Sequence, residues 1–157
     1  MVGRIILFIG TIIMKELNTE RVCEVLNEIV ELEMAGVVRY AHSSLMVTGP
    51  NRIPIVAFLQ EQANESLQHA LIAGEYITGF NGHPSQNISH IEENHNHSVN
   101  QILQESLDHE MAAVDKYKEL LTEVADASIM LEEYARGQIG MEEQHALEIR
   151  KMLIDYS

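Results

Sequence analysis

Apolar positions along this chain recur with helical spacing in four long runs, and the second pair of runs repeats the first. Leu26, Val30, Glu33, Val37, Tyr40, Ser44 and Val47 are separated by alternating fours and threes. Leu103, Leu107, Glu110, Val114, Tyr117, Leu121 and Val124 repeat the pattern 77 residues later. Steps of three and four hold all of these positions on one face of an α-helix. The breaker sequence TGPNRIP (48–54) and the polar stretch NGHPSQNISHIEENHN (81–96) interrupt the runs. The pattern predicts helices from about Thr19 to Val47, Ile55 to Phe80, Ser98 to Val124 and Ala127 to Ile154.

The second and fourth runs match at a shift of 76, pairing Phe58 with Tyr134, Gln62 with Gln138 and His69 with His145. The tetrapeptide QHAL marks both copies, at 68–71 and 144–147. At about 100° per residue, Gln62 falls about 20° from His69, so each histidine shares the inward stripe with a glutamine two turns earlier. The chain therefore reads as a duplicated helical hairpin. Two short connections join antiparallel neighbours, and the long polar one is a crossover that lets the second and third helices run parallel. The expected fold is all-α, an antiparallel four-helix bundle over residues 14–157.

Length and composition agree with a single helical domain. At 157 residues the chain can bury one sizeable core, and it is 46% hydrophobic with only 3 Pro and no Trp. The net charge of -14 repels a phosphate backbone, so nucleic acid is not expected as a partner, whereas cations are concentrated near such a surface. Cys23 is the only cysteine, which excludes an internal disulfide and thiolate metal sites and fits a reducing, cytoplasmic compartment. Its setting among helical apolar residues reads as a buried structural thiol. Residues 1–13, MVGRIILFIGTII, are too short to span a bilayer and lack a small-residue cleavage site. They read as a disordered extension or an over-called start ahead of Met14, and no membrane association is expected.

Candidate chemistry lies where the stripes break their own rule. Glu33 and Glu110 sit in the middle of apolar faces, and Glu142 lies one turn before His145. A carboxylate in an apolar stripe is costly unless it is protonated, paired or metal-bound. No Lys or Arg occurs on these inward stripes to neutralise the three carboxylates. A divalent cation resolves this, since it supplies charge and accepts both oxygen and nitrogen ligands. In Glu142-x-x-His145 the two side chains are about 60° and one turn apart, so both can reach one centre. A glutamate from each of two helices plus Glu-x-x-His from each of the other two is the pattern of a di-iron carboxylate bundle. Tyr40 and Tyr117 lie about 20° from Glu33 and Glu110, placed either to hydrogen-bond a carboxylate or to pack in the core.

LEMAGVVRY (32–40), ESLQHALIAGEYITGFNGHP (65–84), LDHEMAAVDKYKELL (107–121) and MEEQHALEIRKML (141–153) together resemble the ferritin-like superfamily, bacterioferritin most closely, from Met14 to Tyr156. The resemblance implies a ferritin-like bundle with metal ligands at Glu33, His69, Glu110, Glu142 and His145. It further implies a centre that oxidises Fe(II) with O2 or H2O2, with the ferric product stored or detoxified. Iron is the implied metal, one or two per chain, with manganese or zinc as alternatives.

The chain departs from the family at three points. The family's first bridging glutamate falls on Ser66, at best a weak neutral ligand. Its haem-ligating methionine falls on Leu67, so no haem is expected. Only twelve residues follow His145, too few for the fifth helix of 24-subunit cages, so a dimer or smaller shell is expected. Glu65 is rotated about 100° from Ser66 toward the edge of the buried face, and reaching the centre would call for a helix irregularity such as a π-bulge.

His83, His90, His95 and His97 in the crossover read as solvated, with adventitious metal binding as the alternative, and His42 and His109 point away from the glutamate stripe. The leading expectation is an iron-oxidising homo-oligomer. The alternative is a non-catalytic subunit or metal-binding scaffold, degenerate at Ser66, that co-assembles with an intact homologue. A DNA-protecting miniferritin is disfavoured by the charge.

Overall fold

A computed structural model describes residues 15–156, so the expectation for residues 1–13 lies outside the described residues. Four α-helices follow one another without a strand among the described residues: α1 (Thr19–Met46), α2 (Arg52–Gly79), α3 (Val99–Val124) and α4 (Ile129–Leu153). A 3₁₀ turn, Ile154–Tyr156, follows α4.

The ends of the helices follow from local chemistry. Asn18 caps α1 by accepting from the Arg21 N–H at 3.1 Å, and Ser98 caps α3 by accepting from Gln101 N–H at 3.2 Å. Gly49, at φ 89°, turns the chain after α1. α2 begins at Arg52 rather than Ile55, because Pro54 falls in the first turn, where a missing N–H costs nothing. At the far end of α2, Asn81 adopts φ 61° and the Gly82 N–H bonds back to the Ile77 carbonyl at 2.8 Å, the Schellman pattern. α4 starts at Ile129 rather than Ala127, with Ser128 as its cap.

α1 packs on α2, α3 on α4, and α1 on α3. Cross-helix pairs fix the directions. Arg21 reaches Glu119 and Tyr117 reaches Glu33, so α1 and α3 are antiparallel. With α1 and α2 also antiparallel, α2 and α3 run parallel, as the long crossover requires. That crossover is fastened along α1: Ser85 N–H donates to Asn27 Oδ1 at 2.7 Å, and Ser89 N–H donates to the Glu31 carbonyl at 2.9 Å.

The larger core cluster, with Val22, Leu26, Ile29, Ile77, Tyr117, Leu120 and Leu131, fills one end of the bundle, and Tyr40, Val47, Ile55, Leu59 and Ile102 fill the other. The polar centre lies between them. Cys23 is half-buried rather than buried.

Candidate metal centre

Between the two apolar clusters, all four helices contribute polar side chains to one site: Glu33 from α1, Gln62, Glu65, Ser66 and His69 from α2, His109 and Glu110 from α3, Glu142 and His145 from α4. Glu33, Glu110 and Glu142 are each no more than 3% exposed. The side chains leave no room between them for a water molecule.

Their ligand atoms fall into two triads, Glu33–His69–Glu142 and Glu110–Glu142–His145, and within each triad all three atoms lie within 4.8 Å of one another. Glu142 belongs to both. One of its oxygens is 3.0 Å from His69 Nδ1 and the other 3.3 Å from His145 Nδ1. Glu33 lies 3.4 Å from His69 Nδ1, and Glu110 3.3 Å from His145 Nδ1. Both histidines therefore present Nδ1 to the carboxylates. All five residues that the sequence singled out are brought together here.

The two tyrosines serve these carboxylates crosswise. Tyr117, on α3, donates to Glu33 on α1 at 3.0 Å, and Tyr40, on α1, donates to Glu110 on α3. Gln138 in turn donates to the Tyr117 hydroxyl at 3.3 Å. The matched glutamine Gln62 donates to Glu65 at 2.7 Å.

Mutual proximity sets the protonation of the centre. Burial disfavours charge on His69, but hydrogen bonds to Glu142 and Glu33 outweigh it and push the imidazole up to about 10. Glu110 and Glu142 likewise push His145 up to about 10. Burial pushes Glu110 up to about 7 and also raises Glu33. Burial favours neutral Glu142 too, yet His145 and His69 hold it well below the usual carboxylate range. Two imidazolium protons thus offset part of the negative charge of three buried carboxylates.

Divalent cations fit this donor set. Three carboxylates and two imidazoles face a space lined by no Lys or Arg. One buried polar atom there, His109 Nε2, has no hydrogen-bond partner, a condition rare in folded proteins and often relieved by an ion. Among the described residues, no other His, Cys, Asp or Glu cluster brings ligand atoms as close. His42 meets His97 edge-on at 5.6 Å and His97 meets His95 at 6.5 Å without forming such a group.

His109 differs from the sequence expectation, whereas Glu65 keeps to the edge of the buried face that the sequence assigns to it. α2 is an unbroken α-helix through Glu65, and no bulge is needed for that side chain to approach the centre. It extends along the rim, where its carboxylate lies 3.4 Å from His145 Nε2, the nitrogen that faces away from the triads. His109 does not point away from the centre; it is 6% exposed and lines the site. The buried face of α3 includes Ser106, His109 and Ala113 beside the stripe through Glu110. The signal was present in the sequence, because Ser106 and Ala113 flank His109 at steps of three and four. Burial and the neighbouring Arg39 charge hold His109 down at about 4, so its imidazole is neutral.

A family model described as the Ferritin-like domain matches residues 23–156. Solved structures share the fold at low identity. A ferritin-like diiron-carboxylate protein from Bacillus anthracis str. Ames aligns with a TM-score of 0.81 at 21% identity over 86% of this chain and 96% of its own. The dodecameric thioferritin of Bacteroides fragilis, a bacterioferritin-related protein, aligns at 0.84 and 19% over 90% and 89%. Desulfovibrio desulfuricans bacterioferritin, which has a diiron site, aligns at 0.79 and 19% over 86% and 79%. A comparison with curated protein sequences finds no match.

Proposed function

Since the chain belongs to the ferritin-like domain family, we propose that its two Glu/His triads bind Fe(II) and support its oxidation by O2 or H2O2, for iron storage or detoxification. The observation that carries this reading is the pair of triads sharing Glu142 in a buried, water-excluding site. Iron is the favoured metal, one or two per chain. No haem is assigned, because Leu67 stands where the family has its haem methionine.

The chain's own residues have distinct roles in this reading. Glu142 lies between the two triads and neutralises charge at both. Tyr117 and Tyr40 orient Glu33 and Glu110, so the carboxylate oxygens stay placed when a cation enters. Glu65 fixes the ring of His145 from its Nε2 side, which leaves Nδ1 as the donor nitrogen. His69 and His145 surrender their protons as cations bind. Bound iron supplies the electrons that pass to the oxidant.

Mixing the purified chain with Fe(II) in air and following ferric absorbance tests the proposal. The chain should accelerate oxidation well above a Glu142→Ala, His145→Ala variant, and equal rates would sink the ferroxidase reading. A homo-oligomer in the cytoplasm is the setting that fits it. That placement agrees with the acidic surface and with the lack, among the described residues, of a helix long and apolar enough to cross a membrane.

Ser66 favours a second reading, a non-catalytic metal-binding subunit. It is 5% exposed and offers no carboxylate where its duplicate, Glu142, does. This reading expects one metal or none per chain, and a Ser66→Glu variant that gains a second iron and turnover would support it.

A further inference from the structure

We propose that His109 is a further metal ligand of this chain, offering Nε2 on the side of the centre where position 66 provides only a serine hydroxyl. The inference rests on the reading of the centre as a metal site.

Burial sets the problem. The His109 side chain is 6% exposed, its Nε2 has no hydrogen-bond partner, and the surrounding space excludes water. An imidazole placed only to fill volume would do so at the cost of an unpaired buried nitrogen, where leucine would pack without one. A bare cation is small enough to enter where water is not.

Three helices make room for this ring at one point. A Cβ on Gly36 of α1 would lie 2.5 Å from His109 Nε2 and 2.8 Å from the Ser66 Oγ of α2. The tip of the imidazole thus fits only because residue 36 has no side chain, and it sits beside a residue 66 that is small.

The internal duplication shows that these choices are linked. At the matching shifts of 76 and 77, Ser66 corresponds to Glu142, His109 to Leu32 and Gly36 to Ala113. The cluster of Ser66, His109 and Gly36, which draws on both repeats, therefore has glutamate, leucine and alanine as its duplicate counterparts. A carboxylate is lost where an imidazole is gained, and a methyl group is removed where the imidazole needs space. Separately the three differences are unexplained. Together they exchange one ligand type for another.

As the chain stands, Nε2 is outside both compact triads, held against Gly36. To hold a cation the ring would move toward the triads on the side of Ser66, whose short side chain adjoins the same point of Gly36. Six protein ligands would then serve the centre, three carboxylates and three imidazoles.

Anaerobic titration of the chelator-stripped, full-length protein with Co(II), read by calorimetry and by ligand-field absorption, tests this without reference to turnover. His109→Leu should weaken at least one Co(II) step by ~10-fold or more, since even loss of a residue behind a ligand costs that much, and should change the absorption spectrum. Gly36→Ala should reproduce the effect with His109 still present, because the new methyl group displaces the ring. The double variant Ser66→Glu, His109→Leu should recover tight binding by restoring a carboxylate. Thermal melts without metal establish that each variant folds, and His109→Gln replaces His109→Leu if the latter does not. Unchanged Co(II) affinity and spectrum in the folded His109 variant would overturn this inference and leave the metal centre standing. A wild-type chain that binds no Co(II) would overturn the metal-centre reading itself.

Discussion

Glu142 and His69 stand 3.0 Å apart across the bundle, joining α4 to α2, while the other oxygen of the same carboxylate lies 3.3 Å from His145 on its own helix. No other residue belongs to both triads. Glu142→Ala should therefore remove metal binding at both, whereas Glu33→Ala should spare the Glu110–Glu142–His145 triad. Elemental analysis after loading with Fe(II) or Mn(II) separates the two variants. Equal losses in both would argue against a shared carboxylate.

Without metal, the centre should make the fold sensitive to alkali. His69 and His145 are both raised to about 10 in the folded chain, against about 6.5 when unfolded. Their stabilising contribution is complete below pH ~6.5 and is lost as pH rises through about 10. Glu110, raised to about 7, adds a loss of the same sign at lower pH, complete by about pH 7. The melting temperature of the chelated protein should fall from neutral pH toward pH 10, with a smaller decline when metal is bound. A flat profile would contradict this account of the site's protonation.

Metal binding should also release protons. Divalent cations must displace the protons of His69 and His145 to reach the nitrogens. Calorimetric titrations near pH 7 in buffers of different ionisation enthalpy should report proton release, and affinity should drop as pH is lowered. Buffer-independent heats would show that the histidines do not give up protons.

Tyr117→Phe should be destabilising by about 1.5–3 kcal/mol, the range for a hydrogen bond to a charged group, because Glu33 loses its buried donor at 3.0 Å. Urea denaturation of the chelated protein measures this. Loading with metal should reduce the deficit, since the cation then holds the same carboxylate.

Gly82→Ala should cost about 1–3 kcal/mol through overpacking. A Cβ there would lie 2.9 Å from Ile77 Cγ2 and 3.0 Å from Cys23 Sγ, where the crossover leaves α2. The added methyl group is remote from the centre, so stability should fall without a change in metal stoichiometry.

Much of this molecule was legible in one dimension. Four helices, their duplication and the parallel course of α2 and α3 follow from periodicities that any amphipathic helix must obey. The five central Glu and His residues stood out because carboxylates at apolar positions need a compensating charge wherever they are buried. Tyr40 and Tyr117 were legible as neighbours of Glu33 and Glu110. Their crosswise pairing was not, because it depends on how α1 and α3 face each other.

The sequence by itself determined the helix faces, since a residue's angle about its own axis depends only on its position in the chain. It also determined that Ser66 stands where its duplicate is Glu142. The tertiary structure decided what one helix alone cannot specify, the distances between side chains on different helices. It brought Glu142 between two histidines, extended Glu65 to the outer nitrogen of His145 without breaking α2, and turned His109 inward beside Ser66. His109 was misplaced from sequence because its burial depends on the close approach of α1 at Gly36. Steps of three and four to Ser106 and Ala113 mark its face of α3, but the contact with Gly36 joins residues 73 positions apart, and only the fold supplies it.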